Sequence, residues 1–186
     1  MDINEALKRI KVELEEAITT AVFNGKPCSN GNTAKQALIR SQRLINYIHE
    51  SIKIELINYG VNPDKIYPHL NSTKPEIKIQ GFLKAKNQDI CIVPNPKILQ
   101  NESDIEKVLI VNARSQLSSL QKNIDTLYER TFAEALNLHL QYAKQCLGEV
   151  YLIPTHEYDD RAMVDNQVKF KKVSRIEHYI QMFQAL

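Results

Sequence analysis

Asp89 stands directly before the apolar run Ile90-Cys91-Ile92-Val93. A carboxylate beside a buried strand costs roughly several kcal/mol unless it is paired, hydrogen-bonded or metal-bound. The competing reading is a strand-end acid that faces solvent at a hairpin. Asn112 and Arg114 close a second apolar run, Val108-Leu109-Ile110-Val111. Spaced two apart, they point to the same face of a strand. Arg114 offers a permanently charged fork of donors, which suits a phosphate; a strand-end salt bridge is its other use. Farther on, Ser118, Lys122, Asp125 and Glu129 recur at spacings of four, three and four, so they line up along one helix face. Asp125 and Glu129 are like charges one turn apart, and Lys122 relieves them. A solvated face with one local ion pair is the plainer account of that stripe.

Around these residues the hydrophobic pattern sets out the elements. Ile3, Leu7, Ile10, Leu14, Ala17, Ile18 and Ala21 predict an amphipathic helix over 3–23, closed by Gly25 and Pro27. A loop over 28–32 follows. Thr33 is placed to cap a second helix over 34–59, with Leu38, Ile45, Ile48, Ile52 and Leu56 inward and Gly60 at its end. Residues 61–75 read as turns. Ile77, Ile79 and Leu83 alternate as in a half-buried strand, and Lys86-Asn87 reads as a turn. Asp89–Val93 suits a central strand, stopped by Pro94 and Pro96. A polar loop with a possible helical turn leads to the strand Val108–Val111. A helix over 117–142 and a strand over 150–153 come next. The segment 158–173 is charged and irregular, and Ser174 with Glu177 opens a short helix by the capping-box pattern. The economical architecture is one α/β domain over 1–186 with a mixed sheet.

Composition bounds the function classes. With 43% hydrophobic and 25% charged residues, the 186-residue chain is ordinary for a globular protein. A net charge of +2 means that any nucleic-acid surface must be a local patch. Lys84 and Lys86 form one such cluster; Lys169, Lys171, Lys172 and Arg175 form another, and each alone also reads as a solvated face. Three scattered cysteines exclude a disulfide scaffold and any zinc spacing. The charged start MDINEALKRIKVELEE is unlike a signal peptide, and no apolar run approaches ~18 residues, so a cytoplasmic location away from the membrane is expected. The abrupt end at Gln184-Ala185-Leu186 is what a shortened form of a longer protein would show. No HExxH, Ser/His/Asp order, GxGxxG or Walker loop is present.

The order αβββαβ, with an acid at the second strand and polar residues closing the third, resembles the PD-(D/E)xK nuclease superfamily. The run NARSQLSSLQKNIDTLYERTFAEALNLH is similar to a stretch of type II restriction-endonuclease-like proteins. The resemblance covers roughly 76–158. It implies a restriction-endonuclease-like core and Mg²⁺-dependent cleavage of double-stranded DNA by a homodimer. In that family two acids hold the ion and a lysine serves the attacking water. Asp89 maps onto the first acid. Asn112 stands at the second acid and Arg114 at the lysine, and both depart from the pattern. An amide is a poorer ligand, and an arginine cannot act as a base. Some members carry the missing acid on the following helix, where Glu129 or Asp125 would serve, with Lys122 as the cation. Glu76, Glu50 and Glu55 are weaker extra ligands. Lys84, Lys86, Arg114, Ser115 and Gln116 are the implied DNA contacts. A literal match, Pro63-Asp64 with Glu76-Ile77-Lys78, is set aside because a strand, not a helix, follows it. The departures leave a second expectation: a nuclease fold that binds DNA or a protein partner without cutting. A third is an interaction protein that works through its helices.

Overall fold

A computed structural model describes residues 1–72, 75–100 and 102–184. Parts of the turn-rich segment, one residue of the polar loop and the last two residues of the chain end therefore lie outside it. The chain gathers into two compact units, each discontinuous in sequence. The first is Met1–Ile48, Ser115–Ile124 and Leu152–Leu186; the second is His49–Arg114 and Asp125–Tyr151.

In the first unit, helix α1 (Ile3–Thr20) is capped by Asp2, whose carboxylate accepts from Glu5 N–H at 2.8 Å. Ala6, Ile10, Leu14, Ala17 and Ile18 are its buried stripe. The expected end at 23 moves to Thr20, because Ala21 takes the left-handed cap at φ 52°. Gly25 instead serves a tight hairpin turn with Asn24, both at positive φ, joining β1 (Val22–Phe23) to β2 (Lys26–Pro27). Helix α2 (Gly31–Arg40) is capped by Asn30 rather than Thr33; the Asn30 side chain accepts from Thr33 N–H at 3.0 Å. The single helix expected over 34–59 is broken at Ser41-Gln42, where Gln42 has φ 63°, and α3 (Arg43–Asn58) follows.

The second unit is built on a mixed sheet of four strands, order β3-β6-β7-β8. Strand β3 is Ile66–Tyr67, a pair inside the segment read as turns. The β4 (Ile77–Gln80) and β5 (Ala85–Gln88) strands form a separate hairpin. Lys86-Asn87 is therefore strand, not turn: Asn87 pairs with Lys78, and the chain reverses at 81–84. After a bend at Asp89 comes β6 (Ile90–Ile92), paired antiparallel with β3 and with β7 (Leu109–Ser115). Helix α4 (Leu120–His139) then crosses to β8 (Leu147–Leu152). Ile110 N–H reaches Cys146 O and Gln116 N–H reaches Leu152 O, so β7 and β8 advance together and are parallel.

The period of two sorts the sheet's faces. Ile90 lies opposite Val111 in the antiparallel pair; with Ile66 they pack against Ile52 and Leu56 of α3. Cys91 lies opposite Ile110 and packs with Leu138 of α4, Tyr142 and Ile79. Each such fully buried aliphatic side chain contributes about 1.5–3 kcal/mol. In the first unit, the tail expected to be irregular carries α5 (Asp160–Val164) and a bridge between Tyr158 and Phe170. The last helix, α6 (Ile176–Gln184), starts two residues past Ser174, whose hydroxyl accepts from Ile176 N–H at 3.3 Å. Among the described residues no helix is long and apolar enough to cross a membrane.

Candidate functional site

The bend at Asp89 interrupts an otherwise continuous strand, and the carboxylate turns back to the neighbouring β7. Its Oδ2 accepts from Ala113 N–H at 2.8 Å, while Asp89 N–H donates to the Asn112 side-chain oxygen at 3.3 Å. The first bond offsets the desolvation cost of the carboxylate, and the second satisfies the Asp89 backbone amide. A pocket of about 190 Å³ opens beside them. Its charged walls are Asp89, Lys86 from β5, Arg114 from β7 and Glu134 from α4.

Arg114 and Asn112 share a face, as their spacing required. The Arg114 Nε donates to Glu149 of β8 at 3.1 Å, and one terminal nitrogen pairs with Glu134. The other Glu134 oxygen pairs with Lys86. Asn112 donates to the second Glu149 oxygen at 3.4 Å. Burial, with the cations Arg114, Lys84 and Arg130 nearby, pushes the Lys86 pKa down in spite of that ion pair. Tyr151, two residues along β8, meets Thr131 of α4 at 2.5 Å and fixes helix against strand.

Two further groups approach Asp89. His49 of α3 places Nε2 3.7 Å from Asp89 Oδ2 and has no hydrogen-bond partner for it among the described residues. Burial lowers the His49 pKa, Asp89 and Glu50 oppose that, and Lys53 reinforces it. Glu76 has its pKa raised, first by burial and then by Asp89. The Cys91 thiol is pushed up to about 12 by burial, then by Asp89 and Glu76, so it is inert core.

The helix stripe behaves differently from its expected role. Asp125 and Glu129 are exposed, and the acid that α4 delivers to the pocket is Glu134. Lys122 lines a different cleft, in the first unit. Glu50 is occupied by Lys53 at 2.7 Å and by Asn71 N–H at 2.9 Å. Lys84 is exposed at the β4–β5 reversal beside the exposed Phe82 and Leu83. Ser115 ends β7, and the Gln116 side chain donates to Ser118 O. Asp64, of the literal motif, sits in a short 3-10 turn capped by Asn62, and β4 is followed by β5.

Sequence reading missed His49, Glu134 and Glu149. Glu134 had a signal: the buried stripe Leu120, Ile124, Leu127, Thr131 continues through 134 to Leu138. An acid on that face needs a partner. Glu149 had none, because the apolar run that marks its strand begins after it.

Asn137, buried on α4, holds the hairpin that carries Lys84 and Lys86. Its side-chain oxygen accepts from Leu83 N–H at 2.8 Å and Lys84 N–H at 3.3 Å, and its amide donates to Lys84 O at 3.1 Å. A Cβ on Gly81 would come within 2.1 Å of the Asn137 amide nitrogen, so only glycine fits there. Asn137→Ala is expected to cost about 2–3 kcal/mol in urea unfolding, since two backbone N–H groups lose their acceptor.

His49 gives a pH signature. Its folded pKa lies below the unfolded value near ~6.5, so the unfolded chain binds more protons and stability falls as pH drops below that value. The slope contributed is at most ~1.4 kcal/mol per pH unit. Urea unfolding of wild type and His49→Gln between pH 7.5 and 5.5 is expected to show a shallower pH dependence in the variant.

Among the described residues no three His, Cys, Asp or Glu side chains converge closely enough to form an all-protein metal cage. Mg²⁺ does not require one: it takes one or two carboxylates and completes its shell with water and substrate phosphate. The hard-oxygen donors Asp89, Asn112 and Glu134 share one pocket and fit that demand. No protein-family model, curated protein or solved structure matches the chain.

Proposed function

We propose that the chain is a Mg²⁺-dependent endonuclease of restriction type, cleaving double-stranded DNA on a PD-(D/E)xK-like core. One observation carries this reading. An acid at a strand bend shares a pocket with an acid from the crossover helix, and Lys86 and Arg114, which pair with the helix acid, line the same pocket. The strand order, an antiparallel run followed by a parallel helix crossover, supports it.

On this reading Asp89 and Glu134 hold the ion, with the Asn112 oxygen beside them. When bound, the ion supplies charge neutralisation at the scissile phosphate and a water of lowered pKa. Ala113 N–H fixes Asp89, and Glu149 holds Arg114 at the pocket wall, where its positive charge would offset the developing phosphate charge. Lys86, not Lys122, is the cation that takes the family lysine's place. Lys84 and the hairpin turn contact the DNA backbone. A homodimer fits the reading, because two-fold symmetry matches a palindromic duplex and each protomer cuts one strand.

A second reading has its own support. Both Glu134 oxygens are engaged by Lys86 and Arg114, and both Glu149 oxygens by Asn112 and Arg114. A protein that kept these pairs permanently would bind DNA and not cut it. Supercoiled plasmid decides between them: nicking and linearisation with Mg²⁺, abolished by EDTA, is the expected result. Retention of plasmid in a low-salt gel shift without any cleavage supports the second reading, and the lack of both ends the nuclease case.

A further inference from the structure

Lys35 is the one lysine of α2, and it is 2% exposed. An ammonium buried to that degree is costly unless a counter-charge meets it. Among the described residues no carboxylate reaches ion-pairing distance and no acceptor hydrogen-bonds it. Its nitrogen lies over the Tyr158 ring, 5.5 Å from the centroid. Burial lowers its pKa; Asp160 and Glu157 pull it back, and Lys171 lowers it further.

This side chain lines an open cleft of about 490 Å³ in the first unit. Both acids of that cleft are engaged by one lysine. Lys171 lies 3.4 Å from Glu157 and 2.9 Å from Asp160, and Glu157 also accepts from Leu120 N–H at 3.0 Å. Lys122 lines the same cleft from the first turn of α4 and has no ion-pair partner among the described residues. Three ammonium groups thus face two carboxylates, a net charge of +1, and among the described residues Lys35 and Lys122 are the two that make no ion pair. Ser118, Ser119 and Gln36 add neutral donors.

We propose that this cleft binds a phosphate group, gripped by Lys35 and Lys122, with the Ser118 and Ser119 hydroxyls as further donors. Several donors lining one cleft suit a tetrahedral oxyanion better than a planar carboxylate. The volume is that of a small-ligand site and leaves room for a body attached to the phosphate. The charge comes free as inorganic phosphate or esterified on a mononucleotide. This inference does not depend on the nuclease reading, since none of its residues belongs to the Asp89 pocket.

Calorimetric titration of the intact chain with inorganic phosphate, thymidine 5′-monophosphate and thymidine tests it. Saturable binding of at least one phosphate species at millimolar concentration is expected, with thymidine silent. Tighter binding of the monophosphate assigns the ester; equal binding assigns the free ion. Lys122→Gln is expected to weaken binding roughly tenfold, and Lys35→Met to abolish it. Lys122 is exposed, so its variant decides the matter even where Lys35→Met fails to fold. Absence of saturable phosphate binding, unchanged affinity in Lys122→Gln, or thymidine binding as tightly as its monophosphate would each overturn the proposal.

Discussion

Asp89→Asn is expected to keep the fold and lose Mg²⁺-dependent cleavage by on the order of 10³-fold or more. The substituted amide retains an oxygen that accepts from Ala113 N–H, so the bend is preserved. What disappears is the negative charge, which a hard divalent ion requires. Glu134→Gln is expected to lose a comparable factor, because it removes the second acid and frees Lys86 and Arg114 from their pairs. Glu129→Gln is the internal control. Its side chain is exposed on the same helix, and its variant should cut as wild type does. The assay is single-turnover nicking of supercoiled plasmid, with circular dichroism to confirm folding. If Asp89→Asn cuts at the wild-type rate, the nuclease assignment of this pocket is wrong. If Glu129→Gln fails while Glu134→Gln cuts, the helix acid has been misassigned.

The contrast between Glu129 and Glu134 marks how far the sequence could be read. Asp89, Asn112 and Arg114 were legible because each flanks an apolar run, and a period of two says which of them share a face. The partners of those residues were not, because they come from elsewhere in the chain. Glu149 lies 35 residues beyond Arg114, and only the parallel pairing of β7 with β8 brings it alongside. The stripe Ser118, Lys122, Asp125, Glu129 was a regular helix face. Regularity does not say which face meets the sheet; burial of Leu127, Thr131 and Leu138 does, and it selects Glu134. The first strand of the sheet was hidden for another reason. Ile66–Tyr67 is too short to show alternation, and it sits between prolines that advertise turns. The hairpin reversal was misplaced because Lys86-Asn87 has turn-like composition, whereas Gly81 meets Asn137 across 56 residues of sequence. Local propensity could not see that contact.

Arg114 is the position where stability and site chemistry meet, and Arg114→Met is expected to cost about 3–5 kcal/mol. Its side chain is 17% exposed and stands between two carboxylates that are themselves about a fifth exposed. Among the described residues, removing the guanidinium leaves Glu149 with the Asn112 amide alone and Glu134 with Lys86 alone. The loss arises from stranded charge rather than lost packing, which gives the prediction a second arm. Glu149→Gln in the Arg114→Met background should recover part of the stability, whereas in the wild type it should destabilise. The double-mutant cycle reads that coupling directly. Arg114→Lys should fall between, because a single ammonium cannot meet both acids with the planar fork. In thermal unfolding each kcal/mol corresponds to roughly 2–4 °C for a chain of this length. An Arg114→Met protein as stable as wild type would show that the two acids are solvated rather than held. The pocket would then lack the fixed geometry that both readings of its function require.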